Sequence, residues 1–241
     1  MNEYKSLNEF YRSFCEEVLC ASDTETSGWT TEDFLTNVMV EYLEDAGEVT
    51  DPIICPFRGH GLQMNAYAVS DDYESVDIFV SIYSGYEQPR SVSQTDVDAA
   101  IKRAIQLYHK AINDLYTSFQ KDNDTYEFAI TLHKHKDSIK NVRICALTNG
   151  LVKPLVLKSI TIEGAEISFT VWDIDRLYRC VTSGKMRETI EIDFQEKFGF
   201  TIPCIENTTS SKYSVYLAIV NGDLLASLYN APTTMNLHYQ N

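Results

Sequence analysis

Residues 30–85 constrain the fold most, because their apolar spacing changes from a helical to a strand-like period within one stretch. Thr30 and Asp33 have the spacing of a capping box, with Asp in place of the usual Glu or Gln. Apolar residues then recur about every 3.6 positions, and Gly47 provides a stop signal, so a helix is predicted over residues 30–47. Its apolar stripe consists of Phe34, Leu35, Val38, Met39, Tyr42, Leu43 and Ala46.

Three strands are predicted after this helix. The first covers residues 53–57, and a turn around Gly59 and Gly61 separates it from a longer strand over residues 62–69. The third strand alternates, because successive side chains of a strand point to opposite faces of the sheet. One face carries Val76, Ile78, Val80 and Ile82, and the other carries Asp77, Phe79, Ser81 and Tyr83.

Helical and strand-like segments also alternate outside this stretch. Helices are predicted over residues 4–21 and 94–120, whereas residues 126–132 fit either a strand or a helix extension. The remaining predicted elements are a buried central strand over 142–147, a hairpin of 160–162 and 166–172, a helix from Asp173 to about residue 183, a strand over 189–194, a buried strand over 213–220 and a short helix near 229.

No linker rich in proline or glycine divides the chain. The sequence therefore predicts one α/β (α+β) domain over residues 1–241, with a single mixed sheet flanked by helices. Within it we expect N-terminal helices over residues 4–47, the sheet and long helix over 53–120, and C-terminal strands and helices over 126–230.

The amino-acid composition limits which partners and which cellular location we expect. The net charge of −15 repels a phosphate backbone at long range, so nucleic acid is a disfavoured though not excluded partner. No apolar run reaches the roughly 18 residues of a membrane span, so no membrane partner is expected. The six cysteines form no Cys-x-x-Cys pair, which favours reduced thiols and a cytoplasmic location.

A helix carboxylate, a hairpin, a strand aspartate and a long helix follow one another in the chain, and this order resembles the layout of restriction-endonuclease-like nucleases. Such chemistry needs carboxylates that converge on Mg²⁺ and a lysine near the attacking water. The strand signature is Asp/Glu-x-Lys, but Asp77 is followed by Phe79 at the lysine position. We therefore predict a restriction-endonuclease-like core with a degenerate motif. In a divergent enzyme, Glu41 and Asp77 would bind the metal and Lys102 would enter from the next helix.

Other polar motifs carry weaker signals. His60 lies in the Gly59–Gly61 turn, where it is a candidate binding-loop residue, and the His133–Lys136 segment is expected to be a solvated turn. The long helix carries basic residues that could contact a phosphate or simply face solvent, namely Lys102, Arg103 and Lys110.

The segments 67–85 and 213–230, together with the helix between residues 94 and 120, resemble the N-terminal region of abortive-infection phage-resistance (AIPR) proteins. Their shared features are apolar patterns around Asp-Asp and Gly rather than catalytic signatures. The resemblance implies a bacterial cytoplasmic defence protein in which this region precedes a larger C-terminal part. Residues 231–241 depart from the family's continuation, so a truncated member or a split gene product is expected.

Two functions remain from this reasoning. The first is a nuclease-like but non-catalytic recognition or scaffold domain of a phage-defence protein, which needs no cofactor. Its expected partners are another protein, the missing C-terminal part of the same protein, or a second copy in a homodimer. The alternative is a divergent Mg²⁺-dependent nuclease of the PD-(D/E)xK type.

Overall fold

The computed structural model describes residues 6–24, 28–85, 87–155, 157–183, 194–195, 199–210, 213–220, 222 and 224. The chain divides into two compact units, residues 1–187 and residues 188–241. The larger unit contains the central sheet and its helices, and the described part of the smaller unit contains a hairpin. The expectation of one domain over residues 1–241 stays a prediction.

Most of the predicted helices and strands occur in the predicted order, whereas the strands at Ser91–Val92, Leu151–Val152 and Cys204–Ser210 were not predicted. The helices are α1 (Leu7–Thr24), α2 (Thr31–Asp45), α3 (Gln94–Asn113), α4 (Asp124–His135) and α5 (Ile174–Ser183), with a short 3₁₀ helix at Leu115–Ser118. The strands are β1 (Ile53–Gly59), β2 (Leu62–Val69), β3 (Ser75–Ile82), β4 (Ser91–Val92), β5 (Asn141–Thr148), β6 (Leu151–Val152), β7 (Ile160–Ile162), β8 (Ala165–Trp172), β9 (Cys204–Ser210) and β10 (Tyr213–Ala218).

A six-stranded mixed sheet forms the centre of the larger unit, in the order β1-β2-β3-β5-β8-β7. The β1–β2, β2–β3 and β7–β8 pairs are antiparallel, and the β3–β5 and β5–β8 pairs are parallel. Strands β3 and β5 need a long crossover because they run in the same direction, and α3 and α4 supply it. The predicted mixed sheet flanked by helices is confirmed.

Each face of the sheet packs against its own set of helices. Val76, Ile78 and Val80 of β3 belong to an apolar cluster with α3 and α4. Phe79, on the opposite face, belongs to a second cluster with α1, α2 and α5. The predicted alternation of β3 is thus the pattern of a strand buried on both faces, and the larger unit is a three-layer helix–sheet–helix arrangement.

Most element boundaries agree with the predictions, and the differences have local causes. The helix predicted over residues 94–120 ends at Asn113, where Asp114 leaves the helical region at φ −137°. Residues 126–132, which fitted either state, are helical within α4, whose N-cap Asn123 accepts a hydrogen bond from the backbone N–H of Thr125 at 2.8 Å. His133 and Lys134 therefore lie in the last turn of a helix rather than in a turn.

The prediction of a buried strand over residues 213–220 is wrong in one respect. Residues 213–218 do form β10, but Tyr216 and Leu217 are 58% and 68% exposed. An apolar run indicates a strand and does not tell whether another layer covers it. The strand predicted over residues 189–194, apart from Phe194, and the helix predicted near residue 229 lie outside the described residues. None of the described helices combines the length and the apolarity that crossing a membrane requires.

Gly150, which follows β5, allows the segment around Arg90 and Val92 to approach its backbone closely. A Cβ at this position would lie 2.5 Å from Cγ2 of Val92 and 2.7 Å from the backbone oxygen of Arg90. We expect Gly150→Ala to lower the free energy of unfolding by about 1–3 kcal/mol, because backbone must shift to admit the methyl group. Chemical denaturation measures this loss.

The matched control is Gly59→Ala, because a Cβ there meets only the Phe57 ring at an ordinary 3.7 Å. This variant should stay within about 0.5 kcal/mol of the wild type. Equal losses in the two variants would contradict the packing described at Gly150.

Thiol reactivity provides a second check on the fold. Burial raises the pKa of the Cys145 thiol to about 12 and that of Cys55 to about 11. A raised pKa keeps a thiol protonated at about pH 8, and the thiolate is the reactive form. We expect iodoacetamide to modify the exposed Cys20 and Cys204 in the native protein, and Cys55 and Cys145 only after denaturation. Peptide mass spectrometry measures each site, and early modification of Cys145 would contradict its burial.

Candidate functional site

The backbone pairing between β2 and β3 stops before the two strands end. Side-chain hydrogen bonds replace it from that point on. The last paired residues in this direction are Ala66 and Phe79. Beyond them, the backbone N–H of Ser81 donates to Oδ1 of Asn65 at 2.9 Å, and Nε2 of Gln63 donates to the backbone oxygen of Ser81 at 3.3 Å. Two amide side chains thus satisfy both backbone groups of a buried strand residue where the two strands separate.

The carboxylate of Asp33 lies at this separation, in the first turn of α2, and it is only 3% exposed. Its Oδ1 accepts from Nδ2 of Asn65 at 2.8 Å and from Nη2 of Arg58 at 3.4 Å. Its Oδ2 accepts from the backbone N–H and the hydroxyl of Thr30, each at 2.7 Å. A carboxylate has about four lone-pair sites, so these four donors use its accepting capacity.

Hydroxyl groups join the same helix to β3. Thr36 donates its hydroxyl proton to the backbone oxygen of Glu32 at 2.6 Å, because a carbonyl oxygen only accepts. Oγ of Ser81 lies 2.6 Å from Oγ1 of Thr36, so the Ser81 hydroxyl is the donor in that pair. Both hydroxyl residues are buried, which makes the bond part of the contact between α2 and the sheet.

Arg58, at the end of β1, closes the network toward solvent. Its Nη2 lies 2.6 Å from Oε2 of Glu32 and 3.4 Å from Oδ1 of Asp33, and its Nη1 donates to the hydroxyl of Thr30 at 3.2 Å. The Arg58 side chain is 36% exposed, so solvent screens the Glu32 pair. We define the polar junction as Thr30, Glu32, Asp33, Thr36, Arg58, Gln63, Asn65 and Ser81.

The structure places the three predicted site residues apart from this junction. Glu41 is exposed on α2 and accepts from Nδ2 of Asn37 at 2.7 Å. Lys102 is exposed on α3, which packs against the face of the sheet opposite to Asp77.

Asp77 pairs with Arg143, its neighbour on β5, in a two-point contact of 2.9 Å to Nε and 2.5 Å to Nη2. Burial by itself lowers the pKa of Arg143, but the hydrogen bonds and charge of Asp77 and the other nearby acidic groups raise it above its ordinary value. Arg143 also donates to the backbone oxygen of Glu48 at 2.9 Å, which ties β5 to the loop after α2.

No group of three His, Cys, Asp or Glu residues with the geometry of a metal site occurs in the described part of the chain. Metal binding by Glu41 and Asp77 stays a prediction. Sequence reasoning identified Asp33 only as a helix cap and missed its contact with Asn65. The available signal was the presence of two amide residues, Gln63 and Asn65, in the otherwise apolar strand β2.

Within the polar junction, we expect the amide of Asn65 to contribute strongly to the free energy of unfolding. Asn65→Ala removes the acceptor of the Ser81 N–H and a donor to Asp33, and all three residues are buried. We expect the free energy of unfolding to fall by about 2–4 kcal/mol, because unsatisfied buried polar groups keep their desolvation cost. Denaturation with urea measures the loss.

Asn37→Ala is the matched control, because its amide bonds Glu41 at the protein surface. That variant should change the free energy of unfolding by less than about 0.5 kcal/mol. A small effect of Asn65→Ala would show that the separated strands do not depend on this side chain.

The comparisons with known proteins identify the family of the chain. The family model described as the abortive infection phage resistance protein N-terminal domain matches residues 35–179. This range runs from α2 through α5 and includes the whole six-stranded sheet. The comparison with curated proteins and the comparison with solved structures gave no match. Because the family model covers more than half of the chain, this protein belongs to the abortive infection phage resistance protein family through its N-terminal domain.

Proposed function

We propose that this chain is a non-catalytic recognition and scaffold domain of a bacterial phage-defence protein that acts in the cytoplasm. The proposal rests on the hydrogen bonding of Asp33, the buried carboxylate at the point where β2 and β3 separate. Its four hydrogen-bond donors come from Thr30, Asn65 and Arg58. A carboxylate held in this way positions a helix against a sheet and has no accepting capacity left for a metal ion.

The chemistry of the neighbouring side chains supports the same conclusion. Mg²⁺ sites in phosphate-cleaving enzymes are built from carboxylates that face one another. At this junction the strand residues next to Asp33 are the amides Asn65 and Gln63, and Oδ1 of Asn65 already accepts from Ser81. The junction is therefore suited to fixing the fold rather than to activating water.

A protein partner suits the exposed surface of the smaller unit. Ile205 and Leu217 are cross-strand neighbours in the β9–β10 hairpin, and they are 71% and 68% exposed. Exposed apolar groups on one face of a hairpin favour contact with another protein surface. The net charge of −15 makes such a partner more favourable than a long nucleic acid. The remainder of the same protein, another defence protein and a second copy are the proposed partners.

Metal titration tests the non-catalytic proposal against its alternative. Thermal shift with Mg²⁺ and Mn²⁺ is measured on the wild type and on Glu41→Ala/Asp77→Ala. We expect no metal-dependent difference between them. A bound metal at 100 times its Kd would stabilise the wild type by about 2.7 kcal/mol and raise its Tm by several degrees.

The acidic surface requires a control, because any carboxylate-rich protein attracts divalent cations. Glu44→Ala/Asp45→Ala removes the same charge from an exposed part of α2. A metal shift that is lost in the Glu41/Asp77 variant and kept in this control would overturn the proposal. It would favour a divergent Mg²⁺-dependent nuclease of the PD-(D/E)xK type, whose lysine would have to lie on the same face of the sheet as Asp77 and so would not be Lys102.

A further inference from the structure

The turn between β1 and β2 lies over α3 and borders two adjoining clefts. The first cleft, of about 290 Å³, lies between this turn and Arg103 of α3, and Arg58 lines its other side. The second, of about 420 Å³, continues along α3 to His109 and Lys110. His60 and Leu62 line both clefts, so the two form one continuous surface. We call this surface the hairpin groove.

His60 occupies a position that the turn itself makes unusual. His60 and Gly61 form a two-residue loop in which both φ angles are positive, at 52° and 79°. This is the geometry of a type I′ hairpin turn, whose first position usually carries Asn, Asp or Gly. Here an imidazole takes that position and stands on the rim between the two clefts.

The charge of the hairpin groove is opposite to that of the protein. The chain carries −15 overall, yet the residues lining the groove include three permanent cations, Arg58, Arg103 and Lys110. Two histidines also line it, His109 lies 3.7 Å from Glu163 beside the groove, and Glu32 is the one acidic residue among the described lining residues. A local concentration of cations inside an acidic surface focuses a favourable potential for anions at this point.

Arg103 gives the most direct indication that the groove binds a ligand. Arg58 already has carboxylate partners in Glu32 and Asp33. Nε of Arg103, in contrast, is buried and has no hydrogen-bond partner within the described residues. Buried polar groups in native proteins almost always have a partner, and an unsatisfied one is often completed by a bound group. A guanidinium satisfies its donors best with a phosphate or carboxylate, through paired N–H bonds.

The apolar part of the groove distinguishes between these anions. Leu62, Ile105 and Ile162 line the second cleft beside Lys110. A phosphate joined to a flat base has the complementary distribution, with an anionic end for Arg103 and the ring face of the base for the isoleucines. We propose that the hairpin groove binds a nucleotide unit, with its phosphate at Arg103. The site goes beyond the proposed scaffold function, and it involves neither Glu41 nor Asp77.

Fluorescence anisotropy with a short labelled oligothymidylate tests the proposal, with EDTA present so that no metal contributes. We expect saturable binding by the wild type and about tenfold weaker binding by Arg103→Gln, the loss typical of one charge-assisted contact. Lys110→Gln, an exposed site that leaves the core intact, should also weaken binding. Circular dichroism and Tm confirm that each variant is folded.

Lys136→Gln provides the matched control. Lys136 is exposed just after α4, next to His135, whose ring stacks on Tyr73 at the end of the sheet away from the β1–β2 turn. This variant loses the same charge and should bind the probe within about twofold of the wild type. Equal losses of affinity in Lys136→Gln and Arg103→Gln would show that binding depends only on net charge. That result would overturn the assigned site.

Competition identifies the source of the nucleotide unit. Displacement of the probe by ATP or AMP would indicate a free nucleotide, and displacement only by unlabelled oligonucleotide would indicate single-stranded nucleic acid. Absence of saturable binding by the wild type to the oligonucleotide, to ATP and to pyrophosphate would overturn the proposal. Because the assay contains EDTA, that result would leave the metal experiment on Glu41 and Asp77 unaffected.

Discussion

The separation of β2 from β3, held by the Asn65 amide, is the constraint on which the larger unit most depends. Asn65 accepts from the backbone of Ser81 and donates to Asp33, so one side chain joins two strands and a helix. Each of these groups is buried, and a buried polar group without a partner is costly. Full pairing makes the junction a rigid connection between α2 and the sheet. The same separation opens the sheet end beside Arg58 and leads into the hairpin groove.

The two faces of the sheet contain different sets of interactions because different helices cover them. The face under α1, α2 and α5 contains the polar junction, the Asp77–Arg143 pair and an aromatic-rich cluster around Phe79. The face under α3 and α4 contains the aliphatic cluster, and the outer side of α3 borders the hairpin groove. A carboxylate on one face and a lysine on the other cannot meet through a six-stranded sheet. This geometry explains why Asp77 pairs with Arg143 and stays remote from Lys102.

Periodic apolar spacing was sufficient to predict most of the elements. The helix that begins after Thr30 and the strand at residues 62–69 were predicted at or close to their observed bounds, because a capping residue and turn glycines mark their ends. The end of α3 at Asn113 and the exposure of β10 were not predicted. The exposure of β10 depends on what surrounds the strand, which a local pattern does not contain. The polar junction was not predicted, since Asp33 was identified only as a helix cap, and metal binding by Glu41 and Asp77 stays a prediction.

The sequence by itself determined most of the order of helices and strands and the alternation of β3, because these follow from local periodicity, and its motifs carried the likeness to the phage-resistance family. Only the tertiary structure decided which polar residues meet. Asp33 and Asn65 are 32 residues apart in the chain, yet their side chains lie 2.8 Å apart. Arg103 reaches the β1–β2 turn only because α3 crosses beneath it. Hydrogen bonds and charge clusters need atoms at contact distance, and the packing of helices on the sheet sets those distances.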